Sequence, residues 1–277
     1  MKTIGVIGMG IIGRAWAHRY SVAGQLAGTW NRTARPESPA WKASAGEVAE
    51  EADVIQIVVA DPPAVESVLM QILPNLRAGK SVVQSSTIDP RSSSRFQAMV
   101  GKTGGAYIEA PFTGSKPAAE EGKMIFFLGG DEREIRDIEP LLSLISETRF
   151  HIGTGEQAAT LKLSMNLNLA ALMEAYAESL SFARRAGIGD EVYFRALARN
   201  ASYSGLAKMK EPKLKAGDFA PQFSVKHMAK DMRLASSSAA GADYPVLEAV
   251  RKRLKDAETR GYGDLDFSAL IKLLQDR

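Results

Sequence analysis

Thirty-five consecutive residues, Gly153 to Gly187, contain no proline and are dense in Ala, Leu, Met and Glu, all strong helix formers. Apolar side chains recur at helical spacing through Ala158, Leu161, Met165, Leu169, Leu172, Met173, Tyr176 and Leu180. A run this long exceeds an average globular helix and predicts a spine packed on several sides. It also divides the chain. Before it, short apolar runs alternate with helical patterns; after it, the patterns are all helical. The expected fold class is therefore an α/β domain over 1–153 and an all-α domain over 154–277, joined by a long interdomain helix.

A chain of 277 residues with 45% hydrophobic and 24% charged residues is ordinary for a globular protein that buries a proper core. Its net charge of +3 comes from Lys and Arg spread along the chain, so a nucleic-acid surface is not expected, while an anionic small ligand is. No apolar segment approaches bilayer length, so no membrane span is expected. The start, where Lys2 precedes an apolar run and Ala15-Trp16-Ala17 imitates a cleavage site, resembles a signal peptide, but three glycines and Arg14 interrupt it. With no cysteine, disulfides, zinc thiolates and thiol nucleophiles are excluded, and a cytoplasmic location is expected.

Thr3 to Ile7 reads as a short buried strand, followed at once by Gly8-Met9-Gly10-Ile11-Ile12-Gly13 and a helix over about Ile12 to Ala23. G-x-G-x-x-G alone is a weak signal. Set between a strand and a helix, with a second strand at Leu26 to Trp30, it reads as a dinucleotide-binding turn, the competing reading being a purely structural turn. The glycines let a pyrophosphate approach the backbone at a helix N-terminus. Asn31-Arg32-Thr33 ends the second strand, where an NAD-preferring domain places a carboxylate for the ribose hydroxyls. Arg32 attracts a 2′-phosphate that Asn31 and Thr33 can hydrogen-bond, so NADP(H) is expected in preference to NAD(H). The alternative is that Arg32 is a solvated turn residue.

Further strands are expected at Asp53 to Val59, Ser81 to Gln84, Ala106 to Ala110, Lys123 to Leu128 and Arg149 to Ile152, with helices at Ala45 to Ala52, from Asp61-Pro62-Pro63 onward, and from Asp131 to about Ser146. Hydroxyls in Ser85-Ser86-Thr87 fall at a strand end, where they either face a ligand or cap a helix. Thr113-Gly114-Ser115 is a turn able to offer N–H groups and hydroxyls to a carboxylate, or an ordinary turn. In the second half helical patterns fall near Asp190 to Asn200, Phe223 to Ala240, Pro245 to Arg260 and Asp266 to Gln275. Phe223, His227, Lys230 and Asp231 share one helical face, which by spacing alone is a mixed packing and solvent face. Lys162 and Asn166 lie four apart on the spine; periodicity alone makes Lys162 an ordinary helix lysine.

The motifs together change that reading. GVIGMGIIG, WNRT, SSTIDP, EAPFTGSKPAAEEG, Lys162-x-x-x-Asn166, FSVKHMAKDMRLA and GYGDLDFSAL occur in an order that resembles the β-hydroxyacid dehydrogenase family over the whole chain. Gly114-Ser115-Lys116, Phe223 with KDMRLA, and WNRT most resemble its glyoxylate/succinic semialdehyde reductase branch. The resemblance implies a Rossmann-type domain followed by a 6-phosphogluconate dehydrogenase-like helical domain. By position it makes Lys162 the catalytic lysine and Asn166 the amide that orients the substrate. Thr113, Gly114 and Ser115 would hold the substrate carboxylate, Phe223 and Asp231 would line the substrate pocket, and Gly8 through Gly13, Asp61, Pro62, Thr87 and Lys230 would border the cofactor. Three departures stand out. Phe112-Thr113-Gly114 replaces the usual Val-Ser-Gly, and its bulk is expected to affect which acids fit. Ala158 replaces a common glycine, and Ala34 to Ala45 is shortened.

The implied chemistry is NADPH-dependent reduction of a small aldehyde acid, with Lys162 as general acid and, in reverse, base. A lysine in water titrates too high for that exchange at pH 7, so partial burial is required. No cluster of His and carboxylates suggests a metal. Two other readings remain: an imine reductase of the same architecture, a group that generally lacks the lysine, and a non-catalytic NADPH sensor. A homodimer or homotetramer through the helical half is expected from the spine's exposed apolar side.

Overall fold

The computed structural model describes residues 2–239 and 241–275, so the last residue of the helix expected over Phe223 to Ala240 lies outside the described residues. The chain divides into two compact units, Met1–Lys162 and Leu163–Arg277. The division falls inside the spine helix.

The first unit runs β1 (Ile4–Ile7), α1 (Ile11–Val22), β2 (Leu26–Trp30), α2 (Ala45–Glu51), β3 (Val54–Ile57), α3 (Pro62–Ile72), β4 (Ser81–Gln84), α4 (Pro90–Gly101), β5 (Ala106–Glu109), β6 (Phe112–Thr113), α5 (Lys116–Glu121), β7 (Met124–Gly129), α6 (Glu132–Leu142) and β8 (Ser146–Gly153). Its sheet has the order β2-β1-β3-β4-β5-β7-β6, and β8 also pairs with β7. The first five strands in that order are parallel, while β7 runs antiparallel to β5 and β6 and parallel to β8. Strands β1, β3 and β4 are buried throughout. That explains their largely apolar composition, broken by Gln56, Ser81 and Gln84, because both faces carry helices. One core cluster, holding Trp16, Tyr20, Phe126 and Ile138, and another, holding Val48, Leu69, Phe96 and Val100, fill the unit.

Local chemistry sets the helix starts. Asp61, Asp89 and Asp131 accept backbone N–H bonds at the starts of α3, α4 and α6, the first two with proline in the first turn. The Ser44 hydroxyl caps α2 by accepting from the Glu47 N–H, and the Glu47 carboxylate reaches back to accept from the Ala43 N–H. The helix expected to reach Ser146 stops at Leu142. Leu144 and Ile145 bond back to Leu141 and Leu142 in tighter turns, which frees Ser146 to pair with Met124. The turn at 111–117 contains the short β6 and the start of α5, neither anticipated from sequence.

α7 (Gly155–Arg185) is 31 residues long. The second unit continues with α8 (Asp190–Leu197), α9 (Gly205–Ala216), α10 (Val225–Ser237), α11 (Pro245–Thr259), a 3₁₀ turn at Phe267–Ile271 and α12 (Lys272–Gln275). α9 was missed because Gly205 opens it and Pro212 sits within it; Ser204 caps it and Gly217 closes it in the left-handed conformation. Asp266 to Gln275 is a 3₁₀ turn followed by a short helix, since Asp266 caps Ser268 at its own start. The core packs Met173, Ala177 and Leu180 of α7 against Leu206, Met228, Met232, Leu254 and Leu270. Among the described residues, no helix is long and apolar enough to cross a membrane.

A buried ion pair lies inside this helical core. The Lys210 ammonium is 2.8 Å from the Asp266 carboxylate, with side chains 2% and 0% exposed. Asp266 also accepts from the backbone N–H groups of Gln222, Phe223 and Ser268 and from the Ser268 hydroxyl. Burial alone would raise its carboxyl, but the Lys210 charge and these bonds hold it below the ordinary range. Removing one partner strands a charge. Lys210→Ala is expected to cost about 3–5 kcal/mol in urea unfolding; a loss under about 1 kcal/mol would show that water relieves the site.

Candidate active site

The chain leaves β1 for β2 on one side and returns to β3 on the other, so β1 and β3 flank a topological switch point. In open parallel sheets ligands bind there, beyond the strands' carboxyl ends. Glycine lines this crevice. Gly8 has φ 109°, and a Cβ on it would sit 2.2 Å from the Val58 carbonyl oxygen. A Cβ on Gly13 would sit 1.9 Å from the Gly8 carbonyl oxygen, whereas one on Gly10 would meet nothing within 4 Å. Gly8 and Gly13 therefore build the turn, and Gly10 leaves space above it. α1 has neither a side-chain cap nor an acidic residue in its first turn, so its N–H groups and dipole are left for an anion. This uncapped N-terminus beside a missing Cβ fits the pyrophosphate of a dinucleotide. Ile11 is exposed at the start of the helix and Ile12 packs against the core cluster.

Asn31 braces the turn: its Oδ1 accepts from the Met9 N–H at 3.0 Å and its Nδ2 donates to the Thr33 carbonyl at 2.8 Å. Its amide is thus engaged with protein rather than presented to a phosphate. Arg32 and Thr33 are exposed. Arg35 pairs with Glu37 at 3.7 Å, whereas Arg32 forms no ion pair among the described residues. Asp61 spends its carboxylate on the Ala64 N–H at 2.9 Å, and Pro62 is buried in the first turn of α3. They shape the loop after β3 chiefly through this cap.

A buried network ties the strand ends beside that loop. The Ser86 hydroxyl accepts from the Val59 N–H at 2.8 Å. Gln84 clasps the Ser86 backbone, its Oε1 accepting from the N–H at 2.6 Å and its Nε2 donating to the carbonyl at 2.8 Å. The same Nε2 donates to Glu109 Oε1 at 2.8 Å, and Tyr107 donates to Glu109 Oε2 at 2.7 Å. Glu109 is fully buried, and burial pushes its carboxyl up to about 8 against the opposing hydrogen bonds. Thr87, half-buried, follows Ser86 directly. Sequence reading assigned no role to Gln84 or Glu109, although a carboxylate closing the apolar strand AYIE was a visible signal.

Thr113 closes β6, Gly114 takes φ 141° over the Met124 sulfur, and Ser115 precedes α5 without capping it through its side chain. The Phe112 ring packs edge-on to Trp16 at 4.9 Å and contacts Phe126 at 6.0 Å. Its bulk is taken up by the aromatic cluster of α1 and β7. The start of α7 approaches β7 through Gly129, where a Cβ would sit 2.3 Å from the Thr154 carbonyl oxygen and 2.9 Å from the Ala158 methyl. Gly129 thereby accommodates the methyl at position 158. One turn further on, Lys162 is 9% exposed.

In the second unit Asn166, 1% exposed, donates its Nδ2 to Asp231 Oδ2 at 2.5 Å. Asp231 is also 1% exposed, and its Oδ1 is 2.7 Å from the Lys230 ammonium. Its carboxylate therefore accepts from Asn166 and lies beside the Lys230 ammonium. Phe223 lies before the Ser224 N-cap, not on α10, and its ring stacks on His227 at 6.4 Å. Burial, with the Lys230 and Lys226 charges, lowers His227 below its ordinary value, and its Nδ1 is 2.8 Å from the Ser224 hydroxyl. Among the described residues, no group of His, Asp and Glu is arranged to hold a metal.

Residues 3–153 match the family of the NAD binding domain of 6-phosphogluconate dehydrogenase, and residues 156–274 that of the NAD-binding domain of NADP-dependent 3-hydroxyisobutyrate dehydrogenase. The chain is 30% identical to glyoxylate/succinic semialdehyde reductase 2 of Arabidopsis thaliana, over 99% of this chain and 79% of that protein. It is also 30% identical to 2-hydroxy-3-oxopropionate reductase of Escherichia coli, over 98% of this chain and 97% of that one. A crystal structure of 3-hydroxyisobutyrate dehydrogenase from Salmonella typhimurium superposes with TM-score 0.89 at 26% identity, covering 99% of this chain and 100% of that chain.

The glycine geometry separates folding from binding. Gly10→Ala is expected to leave the melting temperature near that of the parent and to weaken nicotinamide dinucleotide binding roughly tenfold or more, or about 1.4 kcal/mol, by titration calorimetry. Gly13→Ala is expected to lower both. If Gly10→Ala binds normally, the pyrophosphate is held elsewhere.

Proposed function

The chain belongs to the β-hydroxyacid dehydrogenase family of NAD(P)-dependent oxidoreductases acting on CH–OH groups, and from that premise we propose that it reduces a small aldehyde acid, of the glyoxylate or succinic semialdehyde kind, with NADPH as cofactor and Lys162 as general acid. The observation that carries this reading is the placement of Lys162. A lysine that is 9% exposed, one helical turn before the buried amide of Asn166, is not a solvated helix cation. When bound, the dihydronicotinamide supplies the hydride. Lys162 Nζ–H donates the proton to the oxygen on which charge develops, and in the reverse direction its neutral amine accepts it. Asn166 is held by Asp231 and orients the reacting oxygen or the ammonium. Thr113, Gly114 and Ser115 receive the substrate carboxylate through hydroxyls and N–H groups, which limits the acid to poses suited to reaction. Phe223 supplies an apolar wall, while Asp231 and Lys230 work through the bonds they make beneath it.

The preference for NADPH rests on Arg32, an exposed guanidinium that forms no ion pair among the described residues, at the end of β2 where a 2′-phosphate would lie. Second copies of the chain are the proposed partners. Phe182 on α7 is 80% exposed, a large ring that an oligomer interface would cover.

The test is NADPH oxidation with glyoxylate, succinic semialdehyde, methylmalonate semialdehyde, tartronate semialdehyde and a cyclic imine, each repeated with NADH. Rapid turnover is expected with a short aldehyde acid. Lys162→Ala is expected to lower kcat by about 10²-fold or more while NADPH binding persists. Near-normal turnover in that variant would sink the role given to Lys162, and turnover of the imine alone would move the chain to imine reduction. Arg32→Ala is expected to weaken NADPH binding roughly tenfold and leave NADH binding unchanged.

A further inference from the structure

The buried carboxyl of Glu109 lies at the carboxyl end of β5 and is joined by hydrogen bonds to the loops that follow β3 and β4. Those loops sit at the edge of the sheet where a dinucleotide binds. We propose that Glu109 is a positioning residue for the cofactor: its neutral carboxyl, acting through Gln84, holds the Ser86–Thr87 segment in the conformation that receives the nicotinamide end, and loss of its proton releases that segment. The proposal rests on the reading of Thr87 as a cofactor neighbour.

The geometry gives one path for the effect. The Gln84 amide is shared between Glu109 and both backbone groups of Ser86, so Gln84 cannot turn toward the carboxylate without loosening Ser86. Ser86 in turn holds Val59, so three strand ends move as a unit. A buried side-chain network in which each member has a partner is rigid, and one altered member disturbs the rest.

Burial favours the proton, and the hydrogen bonds to Glu109 oppose it. On its own strand Glu109 accepts from Tyr107, and on β4 from Gln84. On the α4 side lies the buried Ser93 hydroxyl, whose hydrogen bond to the carboxyl, like those of Tyr107 and Gln84, favours the ionised form. At the start of α7 a Cβ on Gly155 would sit 2.8 Å from the Ser93 hydroxyl and 3.3 Å from the Glu109 Cβ, which leaves no room for water there. The Glu156 carboxylate beside it is turned to the Ser94 hydroxyl, and Gly129 faces Glu109 from β7. The charge that acts on Glu109 is that of Asp89, and it opposes ionisation. With its carboxyl raised to about 8, Glu109 is mainly neutral at pH 7 and mainly ionised at pH 9. A negative charge then appears below a polyanionic cofactor in a poorly screened interior.

The experiment measures NADPH affinity by fluorescence titration from pH 6 to pH 9.5, a readout that does not need turnover. If the neutral form alone binds, the wild-type Kd rises about tenfold between pH 7 and pH 9. E109Q carries a neutral isostere and is expected to change less than twofold over that range. Gln84→Met cuts the path; it is expected to bind more weakly at pH 7 and to show no further tenfold loss. Should E109Q fold poorly, Tyr107→Phe serves instead: losing a donor to the carboxylate moves the wild-type transition to higher pH. A flat wild-type profile, or an E109Q or Gln84→Met profile that matches the wild-type loss, overturns the proposal. Catalytic failure with an intact binding profile would strike Lys162 and leave Glu109 standing.

Discussion

The contact on which the first unit depends is the approach of the Gly8 carbonyl oxygen to Cα of Gly13, with the Val58 carbonyl pressed against Gly8 on the other side. Neither distance tolerates a methyl group. The contact brings the first turn of α1 over the ends of β1 and β3 and aims unbonded N–H groups into the crevice. Asn31 then fixes the Met9 peptide across that crevice. The anion site is therefore a consequence of how the sheet changes direction rather than an addition to it.

Both units place polar groups where apolar ones would give more stability, and in each the polar group holds a segment that carries candidate site residues. Asp266 fixes the backbone of Gln222 and Phe223 just before α10, so the Phe223 ring is set by an ion pair with Lys210 on a different helix. Asp231 holds the Asn166 amide. Gln84 and Glu109 hold Ser86. A buried ion pair is rarely worth more than a well-packed apolar pair. What these groups supply is direction, since hydrogen bonds fix a rotamer that dispersion contacts leave adjustable.

The sequence showed the parts of the structure that follow from local chemistry. The ends of β2 and β4 agree with the structure because each apolar run is bounded by turn residues, and the spine was legible from its spacing alone. The glycine turn was legible because its spacing is imposed by the clashes described above. Elements that depend on distant partners were not. α9 is helical despite Gly205 and Pro212 because its inner face is covered by the core of the second unit, and β6 exists because β7 pairs with it. The ties among Gln84, Ser86 and Glu109 span three strands and leave no periodic trace. The carboxylate of Asp231 could be placed on a helix face from spacing, but not its burial against Asn166.

The position of Phe112 bears on selectivity. Where the family usually has valine, a phenylalanine was expected to change which acids fit by its bulk. Its ring is instead an edge-to-face partner of Trp16 and a neighbour of Phe126, inside a cluster that an aliphatic side chain would fill poorly. Any effect on the substrate must pass through the backbone of Thr113, which pairs with Ile125 on β7, and through Gly114, whose φ of 141° leaves little freedom over Met124. On the proposed reading of this turn as the carboxylate site, selection is a matter of where two hydroxyls and the intervening N–H groups are held. A turn fixed in that way discriminates by the distance between carboxylate and carbonyl in the acid, because a fixed set of donors rewards one chain length over its neighbours.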